Sequence, residues 1–341
     1  MSPLSRREAL KRGLLGVAGV ATAGTAAKVT TVTAVTKGDR AAHLHATDPH
    51  AIMTGGVPHA SASGIDPMAF LTDFDYGTVS RVGGRTVREF EMVASDRNIE
   101  VMPGVWYAAW TYNGQVPGPT LRATEGDLVR VKFVNGGSHE HTIHFHGVHA
   151  SNMDGVFEVI PPGGSYVYEF EAQPFGLHLY HCHTIPIKRH IAKGLYGAFI
   201  VDPKKPRPPA KELVMVMNGF DVNFDGENEI YAVNSIPFAY QANPIPIQRN
   251  ELVRIYLVNV LEFDLINSFH LHGNFFHVYR SGTSLEPSDF TDTIALCQGE
   301  RHILELRYKD LGKFMFHAHQ SEFTELGWMG MFDVRDDRTV A

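Results

Sequence analysis

Leu128-Val129-Arg130-Val131-Lys132-Phe133-Val134-Asn135 recurs later in the chain as Leu252-Val253-Arg254-Ile255-Tyr256-Leu257-Val258-Asn259. Each octet is rich in Val and Ile and partly alternates apolar with polar residues, the signature of a strand with one buried face. Each leads shortly to a His-x-His-Gly: His144-Phe145-His146-Gly147, then His270-Leu271-His272-Gly273. Further on, Gly164–Glu171 precedes His181-Cys182-His183, and Arg301–Tyr308 precedes His317-Ala318-His319. Between the copies, Pro203-Lys-Lys-Pro-Arg-Pro-Pro-Ala210 reads as a stiff, extended linker. The repeat predicts two homologous β-domains over 73–203 and 211–335. Short strands, Gly/Pro turns and no long amphipathic helix make the expected class all-β, with β-sandwich domains.

Length and composition agree with this plan. The chain has 341 residues, enough for two separate cores. Its 32 glycines and 19 prolines favour turn-rich architecture. Residues 1–40 hold seven Lys or Arg against Glu8 and Asp39, a net +5, which leaves −12 of the overall −7 on the remainder. An acidic body argues against nucleic acid as a partner. At the N-terminus, Ser5-Arg6-Arg7-Glu8-Ala9-Leu10-Lys11 has the twin-arginine form and precedes 15 uncharged residues from Gly13 to Ala27. That stretch is short for a membrane span. Residues 1–40 therefore read as a signal region, with an extracytoplasmic destination and no stable membrane insertion after processing. Residues 41–72, with His43, His45, His50 and His59, read as a flexible linker.

Four His-x-His pairs stand in the chain: His144/His146, His181/His183, His270/His272 and His317/His319. Side chains at i and i+2 of a strand leave the same face, so each pair can aim two imidazoles at one point. Eight histidines so arranged indicate a copper cluster. Cys182, between two of them, points the other way. With His141 and His190 it can form a His₂Cys trigonal set, the blue-copper arrangement that suits both copper oxidation states. His139 is the rival to His141, and the spacing His141-x-x-His144-x-His146 favours His141. In the second half Asn267 stands for His141, Ala318 for Cys182, and no histidine stands for His190. Only the first half can then build the thiolate site. The alternation wires it to the cluster, because Cys182 faces one metal while His181 and His183 face the others. Cys297, the second cysteine, is expected to be a buried small hydrophobe. Asp221-Val-Asn-Phe-Asp-Gly226 has the start of a calcium loop, but Ala232 occupies the twelfth position, so a surface turn is expected.

In His-x-x-His-x-His-Gly together with His-Cys-His-(x)₆-His, the chain resembles the multicopper oxidases, and among them the two-domain laccase-like enzymes whose blue site lies in the first domain. The resemblance spans about residues 73–335. It implies two cupredoxin-like Greek-key β-sandwich domains. It also implies four coppers per chain: type 1 on His141, Cys182 and His190, type 2 on His144 and His270, and a type-3 pair on His146, His181, His183, His272, His317 and His319. The partners it implies are O₂ and a small reducing substrate (a phenol, an aromatic amine or a metal ion). A homotrimer with clusters shared between subunits follows from the same likeness.

Two positions refine that expectation. Leu195 falls where relatives carry a weak axial Met, and a leucine cannot coordinate, which implies a higher-potential blue site. Asp154, in Asn152-Met-Asp-Gly155, matches an acidic position near the type-2 copper and is the candidate proton donor. The alternatives are a copper nitrite reductase, which shares the two-domain plan but binds its second copper with three histidines, and a non-catalytic copper or electron-transfer protein.

Overall fold

The computed structural model describes residues 66–336. The signal region 1–40 and residues 41–65, with the four linker histidines, lie outside it. A short helix α1 (Pro67–Phe70) comes first, capped by the Asp66 carboxylate on the amides of Met68 and Ala69. The first sandwich then runs through β1 (Phe74–Asp75), β2 (Thr78–Val82), β3 (Arg85–Met102), β4 (Val105–Tyr112) and β5 (Thr120–Thr124). It continues with β6 (Leu128–Asn135), β7 (His144–Phe145), β8 (Ser165–Glu171), β9 (Gly176–His181), helix α2 (Ile187–Ala192) and β10 (Tyr196–Asp202).

The second sandwich begins with β11 (Lys211–Phe220), β12 (Ile230–Val233), helix α3 (Ala239–Ala242), β13 (Ile245–Gln248) and β14 (Val253–Asn259). There follow β15 (Ile266–Leu271), β16 (Phe276–Arg280), β17 (Asp289–Thr291), β18 (Thr293–Cys297) and β19 (Arg301–Leu306). It closes with β20 (Gly312–His317), helix α4 (Ser321–Glu325) and β21 (Met329–Arg335).

The repeat read in the sequence is a repeat of pairings. In the first sandwich β3 and β6 are parallel, β6 and β8 antiparallel, β5 and β10 parallel, and β9 antiparallel to both β10 and β7. In the second, β11–β14, β14–β19, β13–β21, β20–β21 and β15–β20 reproduce those five relationships in the same order. The octets are β6 and Leu252 with the whole of β14. Both halves are cupredoxin-like sandwiches, as the class expectation required.

Three apolar clusters hold the molecule. One fills the first sandwich and includes Phe133, Tyr168, Tyr180, Cys182 and Leu195. Another fills the second, around Phe269, Phe316, Trp328 and Phe332. The third lies between them: Leu177, Leu179, Ala198 and Ile200 of β9 and β10 pack with Val214, Val216, Val258 and Ile303 of β11, β14 and β19. Strand β9 is therefore buried on both faces, which its sequence Gly-Leu-His-Leu-Tyr-His shows only as a near-continuous apolar run.

Two expectations are corrected. The flexible linker does not extend to residue 72: Leu71 is buried in the second core and its carbonyl accepts the amide of Val214, so 66–72 is ordered by that contact. Cys297 is exposed rather than buried, because it ends β18 on the outward side of the alternation.

Candidate metal centre

His141, Cys182 and His190 are all buried, and their ligand atoms converge. Cys182 Sγ lies 3.2 Å from His190 Nδ1 and 4.0 Å from His141 Nδ1, and the two nitrogens are 3.3 Å apart. Metal bonds of about 2.0–2.3 Å meeting in a plane span edges of about 3.5–3.8 Å, so the triangle fits one ion with small adjustments. Loop order delivers it: Cys182 follows β9 directly, α2 carries His190, and His141 sits in a bridge to Ile160. Burial, then the neighbouring His190, lowers His141 to about 4, and burial with His139 lowers His190 to about 4. Both rings are neutral at neutral pH, as ligation requires. Leu195, fully buried, belongs to the same core as Cys182, and its carbonyl accepts the Cys182 amide. His139 is not part of the triangle; its exposed ring lies against Trp110.

The four His-x-His pairs form two sets of one geometry. His144 is the register partner of His181, and His270 that of His317. The ring centroids of His144 stand 5.0, 5.1 and 5.3 Å from those of His146, His181 and His183. Those of His270 stand 5.0, 5.2 and 5.2 Å from His272, His317 and His319. In each set two Nε2 atoms face each other, His146 and His181 at 3.3 Å, His272 and His317 at 3.0 Å.

The outer nitrogens are tied down. The Nδ1 of His181 donates to the Cys182 carbonyl at 2.9 Å, and that of His317 to Ala318 at 2.5 Å. His144 Nδ1 donates to the Asp154 carbonyl at 2.7 Å, and His270 Nδ1 to that of Asp292 at 3.0 Å. Such bonds select the tautomer that leaves Nε2 free to bind a metal. Burial lowers His181 to about 4 and His146 to about 2, the latter aided by His181 and Arg301. Among the described residues, no set of metal-capable atoms within 4.8 Å of one another draws on both sandwiches. The second set is also the more open, with His272 and His319 exposed.

Asp154 sits beside His144, its carboxylate 3.2 Å from Nδ1. Gly155 makes this turn possible: at φ +71° its would-be Cβ would fall 2.0 Å from the Ile143 carbonyl. Asp221, Asp225 and Glu229 also converge within 4.8 Å, and Asp221 accepts the amides of Asp225 and Gly226 within the turn.

Three features were missed in the sequence. Thr142 Oγ1 accepts the His183 amide at 3.0 Å, and its own amide points at Cys182 Sγ; Ser268 Oγ accepts the His319 amide in the second sandwich at 2.7 Å. Aligning His141-Thr142 with Asn267-Ser268 would have exposed that shared hydroxyl. Trp110 packs on both His141 and His190, at 5.2 and 4.8 Å, and nothing in its sequence neighbourhood marks it. Finally, the second sandwich fills its own thiolate position. The amide of Leu195 donates to the His190 carbonyl, and that of Trp328 to Phe323, so Phe323 and Trp328 stand where His190 and Leu195 stand.

Two sequence families, both described as multicopper oxidase, match residues 94–206 and 206–338. A crystal structure titled multicopper oxidase is 56% identical, with a TM-score of 0.80, covering 81% of this chain and all of that one. The copper nitrite reductase of Nitrosomonas europaea is 26% identical with a TM-score of 0.68, covering 74% of this chain and 95% of that one. The copper-containing nitrite reductase of Neisseria meningitidis serogroup A is 30% identical over 268 residues, 72% of this chain and 67% of its own length.

Proposed function

The chain belongs to the multicopper oxidase family and is a copper oxidoreductase, and from that premise we propose that it is laccase-like, taking single electrons from a small reducing substrate and reducing O₂ to water. The observation that carries this reading is the duplicated four-histidine set. His144, His146, His181 and His183 are matched ring for ring by His270, His272, His317 and His319. A site for a single second copper held by three histidines has no use for eight.

Copper bound here supplies one-electron redox chemistry at the thiolate site and O₂ reduction at the histidine cluster. The chain's residues divide the remaining work. His141, Cys182 and His190 hold type-1 copper in a water-excluded pocket. The Cys182 peptide joins that pocket to His181 and His183. Following the resemblance, His144 and His270 hold type-2 copper, and the other six cluster histidines hold the type-3 pair, for four coppers per chain. Asp154, one-third exposed beside His144, is the proton donor. Among the described residues no close group of metal-capable atoms draws on both sets, which supports a homotrimer whose clusters form between copies. The twin-arginine segment supports export and an extracytoplasmic location.

Copper-containing nitrite reduction is the second reading, favoured by the resemblance to the Neisseria and Nitrosomonas enzymes. A copper count on purified protein, with O₂ uptake on a phenolic donor and a nitrite assay, separates the two. Four coppers per chain with O₂ consumption is the expected result. Two coppers with nitrite turnover would overturn the oxidase reading.

A further inference from the structure

The histidines of the second sandwich share their face of the sheet with three methionines. In β20 and β21 the residues that enter the core are Phe316, Phe332 and Val334. Alternation sends Met315 and His317 of β20, and Met329 and Met331 of β21, to the opposite face.

Pairing sets these side chains in two rows. In one, His270 is opposite His317, and His317 is opposite Met329. In the other, the amide of His272 donates to the Met315 carbonyl, and Met315 is opposite Met331. Directly opposite side chains on antiparallel strands start about 4.5–5.5 Å apart. Three thioethers therefore continue the histidine set along the sheet. At the near end of the rows the Nε2 atoms of His272 and His317 lie 3.0 Å apart.

Core packing does not account for the methionines. Met92, Met215 and Met217 are fully buried within the sandwich cores. Among the described residues, Met315, Met329 and Met331 belong to none of the three apolar clusters. Met329 is nevertheless 5% exposed, and the other two are half-buried. By pairing register the first sandwich carries Leu179, Tyr196 and Ala198 at those positions, without sulfur, and all three pack between the sandwiches. A face that needed only apolar cover would be served by such residues. Thioether sulfur adds a soft, uncharged ligand that favours cuprous ion over harder cations.

From this we propose that Met315, Met329 and Met331 form a cuprous-ion acquisition site that feeds His272 and His317. The thioethers hold the ion in its reduced state, and the free Nε2 atoms of the two histidines replace them one at a time. No electron moves in this exchange. No proton is released either, because thioethers and neutral imidazoles are both uncharged. The inference rests on the copper chemistry of the family and not on O₂ as the electron acceptor.

Anaerobic titration of the copper-free full chain with the cuprous acetonitrile complex tests it, with isotope-labelled methionine methyl groups as reporters in NMR spectra. The methyl signals of Met315, Met329 and Met331 are expected to shift, and those of Met92, Met215 and Met217 to stay. Unmoved signals from Met315, Met329 and Met331 in the wild type overturn the inference. The shifts are expected to persist in the double variant His272→Ala/His317→Ala. Their loss there would mean that they report only a neighbouring histidine site, which also overturns it. Met315→Leu/Met331→Leu keeps the apolar volume and removes two sulfurs. It is expected to take up copper from cuprous bicinchoninate more slowly than wild type, as read from the fading colour of the chelate. Uptake at the wild-type rate by the folded variant contradicts the proposal. Circular dichroism identifies a variant that has unfolded, and the wild-type methyl titration then decides. Neither O₂ nor nitrite is present, so failure here is distinct from failure of the oxidase reading, which is judged by copper count and O₂ uptake on the loaded wild type.

Discussion

Trp328 stands in the second sandwich where Leu195 stands in the first: the carbonyl of each accepts the amide of the residue at the thiolate position, Ala318 or Cys182. Trp328 is fully buried against Phe269 and Phe316, and Asn267, in place of His141, bonds to Asn259 instead. The second site was not merely stripped of ligands. Its volume was filled with aromatic carbon.

Trp328→Ala should therefore cost about 3–5 kcal/mol of stability, as large aromatic truncations in cores do. Trp328→Phe should cost less, since Trp328 Nε1 is buried without a partner and its loss removes a desolvated donor. Urea unfolding measures both. Ala318→Cys alone should add no blue absorption on copper loading, because Phe323 and Trp328 still occupy the space.

Leu195→Met should lower the reduction potential of the blue centre relative to the parent. Leu195 is fully buried in the core that contains Cys182, so a thioether introduced there stays close to the site. Redox titration of the blue band reads the shift. An unchanged or higher potential would show that this position is not axial.

Trp110 packs on the rings of His141 and His190 and on that of His139. His141 and His190 are buried, at 0 and 3% exposed, whereas His139, its ring tilted against Trp110 with centroids 4.5 Å apart, is exposed. Trp110→Phe and His139→Ala should slow anaerobic bleaching of the blue band by a phenolic donor while leaving its intensity intact. Trp106→Phe, on the same face of β4 but away from the histidines, should leave the rate unchanged. Stopped-flow absorbance distinguishes these outcomes.

Arg122 ties the sandwiches together through Asp202 and Glu212. Arg122→Met leaves both carboxylates short of a partner and should cost about 2–4 kcal/mol, below the fully buried range because both acids are partly exposed. Burial alone would raise Glu212, but bonds from Arg122, Tyr256 and Arg254 outweigh it, and its pKa is lowered in the folded state. Its contribution is then complete above the unfolded value near 4.5 and is lost as the pH falls through the lower folded value. Acid unfolding should begin at higher pH in the variant, as followed by circular dichroism.

Much of the site was legible because it is written in local periodicity. Alternation along a strand sends Cys182 one way and His181 and His183 the other wherever the strand lies, so the candidate residues that the structure groups together could be named from spacing. The repeated octets likewise imply repeated pairings. Cys297 and residues 66–72 were misread because their burial depends on what packs over them, and neither spacing nor composition records that.

The chain by itself determined two related β-domains, eight paired histidines and one candidate thiolate site, since each follows from residue type and short-range spacing. Only the tertiary structure decided that Arg254 is buried while its repeat equivalent Arg130 is one-third exposed, that Trp110 packs on His141 and His190, and that no close group of metal-capable atoms among the described residues draws on both sandwiches. Similar octets carry similar strand geometry, but exposure is set by the neighbouring face, and that neighbour is distant in sequence.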